Sequence, residues 1–237
     1  MTLMKIMKED STPVSESVPF CMLLAIVGGF LDAYTFVGRG GIFCNAETGN
    51  IVLLGIYISK GKWQSALDRV PPILAFIIGV FLAEAIKRNR SPFSHLDWKK
   101  IILIFEAVVL FMIGLIPSST PNVIVTATVS FVSSLQVSSF RKLVDSQFNT
   151  TMSTGNLRSA SQALFLAIIQ KDTDAAIRSI RYFIIIFSFL SGALIGGTIT
   201  SFFGIKAIWS TILLLILAVV LINVEEHKKI DILNHSC

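Results

Sequence analysis

Charge is scarce in this sequence: Asp, Glu, Lys and Arg make up 15% of it, against 53% hydrophobic residues. A water-soluble domain carries about a quarter of its residues charged, so this balance excludes an ordinary globular domain in water. Histidine is rarer still. The three histidines, His95, His227 and His235, all fall in polar connections or in the C-terminal tail. No HExxH, no GxSxG and no glycine-rich phosphate loop is present, and the chemistries marked by those patterns depend on them. The expectation is therefore not an enzyme, with no catalytic residue, no metal ligand and no cofactor assigned. Three cysteines, Cys21, Cys44 and Cys237, lie far apart, with neither a CxxC pair nor a Cys/His spacing of the zinc type, and they imply no disulfide framework. Basic clusters interleaved with aromatics on a polar surface are missing too, which argues against nucleic acid as a partner. Residues 1–17 hold Lys5, Lys8, Glu9 and Asp10 but no apolar run with a small-residue cleavage site close behind. They read as a polar tail rather than a cleaved signal peptide.

What is abundant is apolar sequence in long blocks. The mean hydropathy is +0.74, and the blocks Val18–Gly38, Val70–Ile86, Ile101–Ile116, Asn122–Phe140, Ile180–Phe203 and Ile205–Val224 approach the roughly 17 to 25 residues that a spanning helix needs. The fold class expected is all-α, a polytopic membrane helix bundle whose first partner is the lipid bilayer. Two further stretches, Thr48–Ser59 and Thr154–Gln170, are shorter or more polar, the second containing Arg158 and Gln162. Both open on the same tripeptide, Thr48-Gly49-Asn50 and Thr154-Gly155-Asn156. The matching order of elements around the two tripeptides suggests an internal duplication, although identity outside them is weak. The organisation expected is a polar tail at 1–17, a first membrane repeat at 18–120, a second at 121–224 and a polar tail at 225–237.

Cytoplasmic connections carry an excess of Lys and Arg, which allows the two short stretches to be weighed. If all eight stretches span, the 20 basic residues divide ten against ten and give no orientation. If the short stretches re-enter, one face collects 15 of the 20, leaving Arg39, Lys60, Lys62, Arg69 and Lys206 on the other. We favour six spans with both termini cytoplasmic, the two motifs entering the membrane from opposite faces as an inverted repeat. Eight spans with parallel repeats is the alternative. A homo-oligomer is open to either arrangement.

The motif residues have a physical rationale. The first backbone N–H groups of a helix lack internal partners, and Thr or Asn side chains cap them. Inside a membrane that need is sharper. Two helix starts facing each other across the midplane would also present their partial positive charge to a shared solute or ion pathway. Asp32 lies well inside the first block, where an ionised group costs about 2.5 to 3.5 kcal/mol on insertion scales, so it should meet a partner or a wet cavity. Glu47 precedes the first motif and Arg158 lies one turn inside the second, making them candidate partners for each other or for Asp32. Gln136, Ser138 and Ser139 occupy the repeat-equivalent region of Phe30, Asp32 and Ala33. The candidate pathway set is thus Asp32, Glu47, Thr48, Asn50, Gln136, Thr154, Asn156 and Arg158. Glu84 and Glu106 read as solvated helix ends near an interface. Gly192, Gly196 and Gly197 read as a close-packing face.

Two segments carry a resemblance. Gly28-Gly29-Phe30-Leu31-Asp32-Ala33-Tyr34-Thr35-Phe36 with Asn45-Ala46-Glu47-Thr48-Gly49-Asn50, and Gln136 to Lys142 with Thr150 to Ser159, resemble the paired signatures of the bacterial YoaK family. The resemblance runs roughly from Val18 to Val224. It implies a multi-pass protein of the bacterial inner or plasma membrane in a family described as a domain of unknown function. Location and fold follow from it more than activity does. The reading that results is a small-solute transporter or permease, with a non-transporting membrane scaffold or accessory subunit as the rival class.

Overall fold

The computed structural model describes residues 6–7, 12–88, 97–144, 146–148, 150–151 and 153–235. Most of them are helical. After a 3-10 turn at Val14–Glu16 come α1 (Val18–Gly38), α2 (Glu47–Ser59), α3 (Trp63–Leu67), α4 (Val70–Arg88), α5 (Trp98–Leu115) and α6 (Asn122–Ser139). A two-stranded hairpin, β1 (Lys142–Leu143) and β2 (Ser146–Gln147), precedes α7 (Ser153–Ile169), α8 (Thr173–Phe203) and α9 (Trp209–His235). Lys5, Lys8, Glu9, Asp10, His95 and Cys237 lie outside the described residues.

Among the described residues, three helical stretches are long and apolar enough to cross a bilayer, Val18–Gly38, Trp63–Arg88 and Thr173–Glu225. The last contains two helices of opposite direction, because Gly204 ends α8 at φ 60° and the chain turns back through a 3-10 segment into α9. Helices α5 and α6 have 18 residues each; α5 is as apolar as α1 on average but carries three charged side chains, and α6 is less apolar. Helix α5 carries Lys99, Lys100 and Glu106, while α6 is rich in Ser and is walled by protein along much of its length. A helix covered by protein has no need of an apolar surface all round. Large hydrophobic side chains elsewhere stand exposed, among them Phe81, Leu194, Phe202 and Leu213. On a membrane protein these face lipid.

Side-chain contacts fix the helix directions. Gly192 lies on the backbone of Ile26 and Gly196 on that of Phe30, so α1 and α8 run parallel. Their closeness depends on glycine, since a Cβ at Gly29 would collide with the carbonyl oxygen of Phe189. The small-residue face read from Gly192, Gly196 and Gly197 is therefore a helix contact. Helices α4 and α6 also run parallel: Ser130 bonds the Pro72 carbonyl, Gly79 lies against Phe131 and Ser134, and Lys87 donates to the Ser138 carbonyl. Helix α9 is antiparallel to α1, with Val14 donating to Glu225 at one end and Tyr34 to Ile205 at the other. It is antiparallel to α5 as well, through Lys100 with Asn223 and Trp209 with Phe111. Helix α6 runs against α5, with Lys99 over the Phe140 ring and Glu106 beside Gln136.

The main apolar core joins α1, α5, α6 and α9 around Phe20, Phe30, Leu103, Leu110 and Val129. Asp97 caps α5 by accepting from Lys99 N, and Asp172 caps α8 by accepting from Asp174 N and Ala175 N. Within the expected polar tail at 225–237, α9 runs on as helix through His235. Glu, Lys, Leu and Ile there are ordinary helix formers.

Candidate functional site

After α1 the chain reverses through Gly40 and Gly41, both at positive φ (82° and 69°), a conformation that costs a glycine little. Arg69, 4% exposed, clamps that reversal by donating to the Gly41 carbonyl at 2.6 Å and approaching the Gly40 carbonyl at 3.5 Å. Its guanidinium also lies 5.3 Å from the centre of the Tyr57 ring. Arg39 is buried too and donates to the Tyr34 hydroxyl at 3.3 Å. The segment then returns along α1 as far as Asp32.

Asp32 anchors the end of that returning segment. Its Oδ1 accepts from the backbone N–H groups of Cys44 (3.0 Å), Asn45 (2.8 Å) and Ala46 (3.3 Å), and from the Cys44 thiol (3.6 Å). These residues immediately precede α2, so the carboxylate sits at the positive end of that helix, a favourable place for an anion. The expected capping by Thr48 or Asn50 is corrected here: the first turn of α2 has no side-chain cap. Asn50 instead grips the loop, accepting from Phe43 N at 3.1 Å and donating to Phe43 O at 2.7 Å and to Glu47 Oε2 at 2.9 Å. The other Glu47 oxygen accepts from Ser130 of α6 at 2.7 Å.

A cavity of about 640 Å³ lies between the two motif helices. Asp32, Glu47 and Thr48 of the first half line it together with Thr151, Ser153 and Thr154 of the second. The rest of its wall is mostly apolar, including Phe36, Phe43, Phe76 and Phe189. Thr151 reaches it because Gly28 leaves room for the threonine methyl group.

Of the eight candidate residues, four therefore share this cavity: Asp32, Glu47, Thr48 and Thr154. Asn50 and Asn156 are buried beside the helix starts and do not line it. The pairing expected of Arg158 is corrected: it is exposed and pairs with neither Asp32 nor Glu47. Gln136 is drawn elsewhere, donating to Glu106 Oε2 at 2.9 Å in the bundle interior. Glu106 is corrected with it, being wholly buried rather than a solvated helix end. Glu84 matches its reading, exposed and paired with Lys87. Residue reading missed Asn45, Ser130 and the four phenylalanines. Asn45 was within reach, because it stands in the same run as the first motif; the phenylalanines are indistinguishable in sequence from lipid-facing ones.

Comparison with known proteins adds a lineage. The family described as "Protein of unknown function (DUF1275)" matches residues 20–221. The chain belongs to that family. The match takes in both motifs, Asp32 and every residue of the cavity wall. A relative, the UPF0700 transmembrane protein YoaK of Bacillus subtilis (strain 168), is 28% identical over 142 residues. That alignment covers 58% of this chain and 62% of the relative, so the chain spans about three fifths of the relative's length. Its description agrees with the apolar helices in making this DUF1275 chain a membrane protein. No solved structure matches.

Proposed function

We propose that the chain is a small-solute transporter of the bacterial cell membrane, with a pathway through the cavity between its two Thr-Gly-Asn helix starts. One observation carries the proposal: Thr48 and Thr154, from motifs 106 residues apart, line the same cavity as Asp32. Broken or short helices that meet near the midplane are where secondary transporters place their sites.

The helix directions support six spans and two re-entrant helices. Helices α1 and α4 run oppositely with α2 between them, so α2 makes no net crossing; α6 and α8 run oppositely with α7 between them. Exchanging the halves (α1 with α6, α2 with α7, α4 with α8, α5 with α9) maps the α1–α8 contact onto α6–α4 and the α5–α6 contact onto α9–α1. That exchange, with α1 and α6 opposed, supports an inverted repeat. The basic residues fit the same arrangement, with both termini on the face holding 15 of the 20. Of the five on the other face, Arg39 and Arg69 are buried and serve the α1 reversal, which sharpens the bias further.

A rival reading, a non-transporting scaffold, has one observation in its favour: Asp32 and Asn50 bond the re-entrant loop itself. Cysteines placed singly at Thr48 and Thr154, in a protein lacking the native three, separate the two. A transporter exposes both to a small charged thiol reagent in water, and a proteoliposome screen finds a solute that moves. If neither cysteine is reachable from either face and no solute moves, the scaffold reading replaces the transporter.

A further inference from the structure

We infer that the cavity accepts the ammonium group of an organic cation, held by Asp32 and Asn45, with the hydrocarbon part of the molecule against phenylalanine rings. This names the solute class for the pathway proposed above and rests on that reading of the cavity.

The first observation is a pair of orphaned oxygens. Asp32 and Asn45 both line the cavity and are 4% and 5% exposed. Asp32 Oδ2 and Asn45 Oδ1 have no hydrogen-bond partner among the described residues and are recessed in the wall, with almost no accessible surface of their own, so a bound group reaches them by a small shift of these side chains. The orientation of the Asn45 amide is set by donation from its Nδ2 to the Gly28 carbonyl at 3.3 Å. Both orphans are acceptors, so a donor or a cation is what the site lacks, and leaving such atoms unsatisfied is costly. Gly28 and Asp32 are one turn apart on α1, which brings the Asn45 amide to the face of the helix that carries the carboxylate.

Charge is the second observation. The two residues of the wall that carry formal charge, Asp32 and Glu47, are both acids, and among the described residues no Lys, Arg or His lines the cavity. The buried cations nearest in sequence are already engaged, Arg39 with Tyr34 and Arg69 with the Gly40–Gly41 turn. An anionic solute would meet repulsion with no counter-charge.

The third is size and lining. A bare metal ion of the hard type takes a close cage of about six or more oxygens. Two orphaned oxygens in a space of about 640 Å³ do not form one. That volume lies in the range of organic ligand sites, and Phe36, Phe43, Phe76 and Phe189 bring aromatic rings to the wall from four segments of the chain, Phe36 and Phe43 stacked on one another. Aromatic faces attract ammonium groups through the ring quadrupole.

The test uses the full chain purified in detergent, with 2-phenylethylammonium, cyclohexylammonium and tetraethylammonium as probes. The comparison molecules are 2-phenylethanol, 3-phenylpropanoate and sodium chloride alone. At least one ammonium should raise the unfolding midpoint by about 5 °C or more at about a hundred times its Kd, while the neutral, anionic and sodium controls do not. Asp32→Asn should weaken binding by about 30-fold or more. Phe76→Ala leaves the loop bonds untouched and guards against a misfolded Asp32 variant; it should weaken binding about fivefold. Equal stabilisation by 2-phenylethanol, by the carboxylate or by sodium overturns the proposal, as does the failure of all three ammonium probes. Ammonium binding without flux upholds the cation site and removes transport. Flux of an anion without ammonium binding upholds transport and removes the cation site.

Discussion

Removing the Asp32 carboxylate strips the acceptor from three backbone N–H groups at once, those of Cys44, Asn45 and Ala46. Asp32→Ala leaves all three without a partner, at roughly 1 kcal/mol each, or about 3 kcal/mol in all. Asp32→Asn keeps an oxygen in the same place and loses only the charge assistance, about 1 kcal/mol. Cys44 reports the difference directly, because it is wholly buried in this loop and its thiol also points at Asp32 Oδ1. In a protein carrying Cys21→Ala and Cys237→Ala, alkylation of Cys44 by N-ethylmaleimide below the unfolding midpoint measures how often the loop opens. We expect a rise of about 100-fold for Asp32→Ala and about fivefold for Asp32→Asn, at 1.4 kcal/mol per factor of ten. Labelling of Asp32→Ala at the parent rate would refute the assignment of Asp32 as the anchor of the loop. Equal rates for the two variants would show that charge, rather than bond count, holds it.

Four further outcomes test the topology and the local packing. Single cysteines at Lys62 and Gln170, both exposed at the far ends of the motif helices, should label from opposite faces of intact cells; labelling from one face would restore the eight-span arrangement. Gly29→Ala, whose methyl group meets the Phe189 carbonyl, should destabilise by about 1–3 kcal/mol. Gly155→Ala, with nothing within 4 Å, should stabilise by about 0.5–1 kcal/mol, and paired thermal unfolding in detergent checks both. Gln136→Leu should cost about 2–3 kcal/mol by stranding the Glu106 carboxylate, whereas adding Glu106→Leu should recover most of that stability; a double-mutant cycle measures it.

How much was legible depended on whether the answer lay along the chain or across it. The apolar block Val18–Gly38 coincides with α1, and Asn122–Phe140 differs from α6 by one residue, because lipid demands a run of set length. Asp32 stood out for the same reason, a carboxylate where one is costly. Which way a residue faces was another matter. Glu106 looked like a helix end because its apolar block opens at Ile101, yet α5 begins at Trp98 and packs that turn against Gln136. Arg158 was placed one turn into its helix, but small and polar residues surround that turn, so no apolar stripe revealed that the side chain points outward. From its position Asn50 reads as a cap; besides Glu47 it bonds Phe43, seven residues back in a loop whose path no local pattern records.

The way the halves are interleaved bears on how the chain is made. Helix α1 finds its closest neighbour in α8, and α4 finds its own in α6, so the first half has little of itself to pack against. During synthesis α1 waits in lipid until more than 130 further residues have emerged, its glycine face uncovered. A chain stopped near residue 120 is thus left with an open seam rather than a smaller folded unit. The two halves are one folding event, and a break between them is tolerable only where both pieces are present to close on each other.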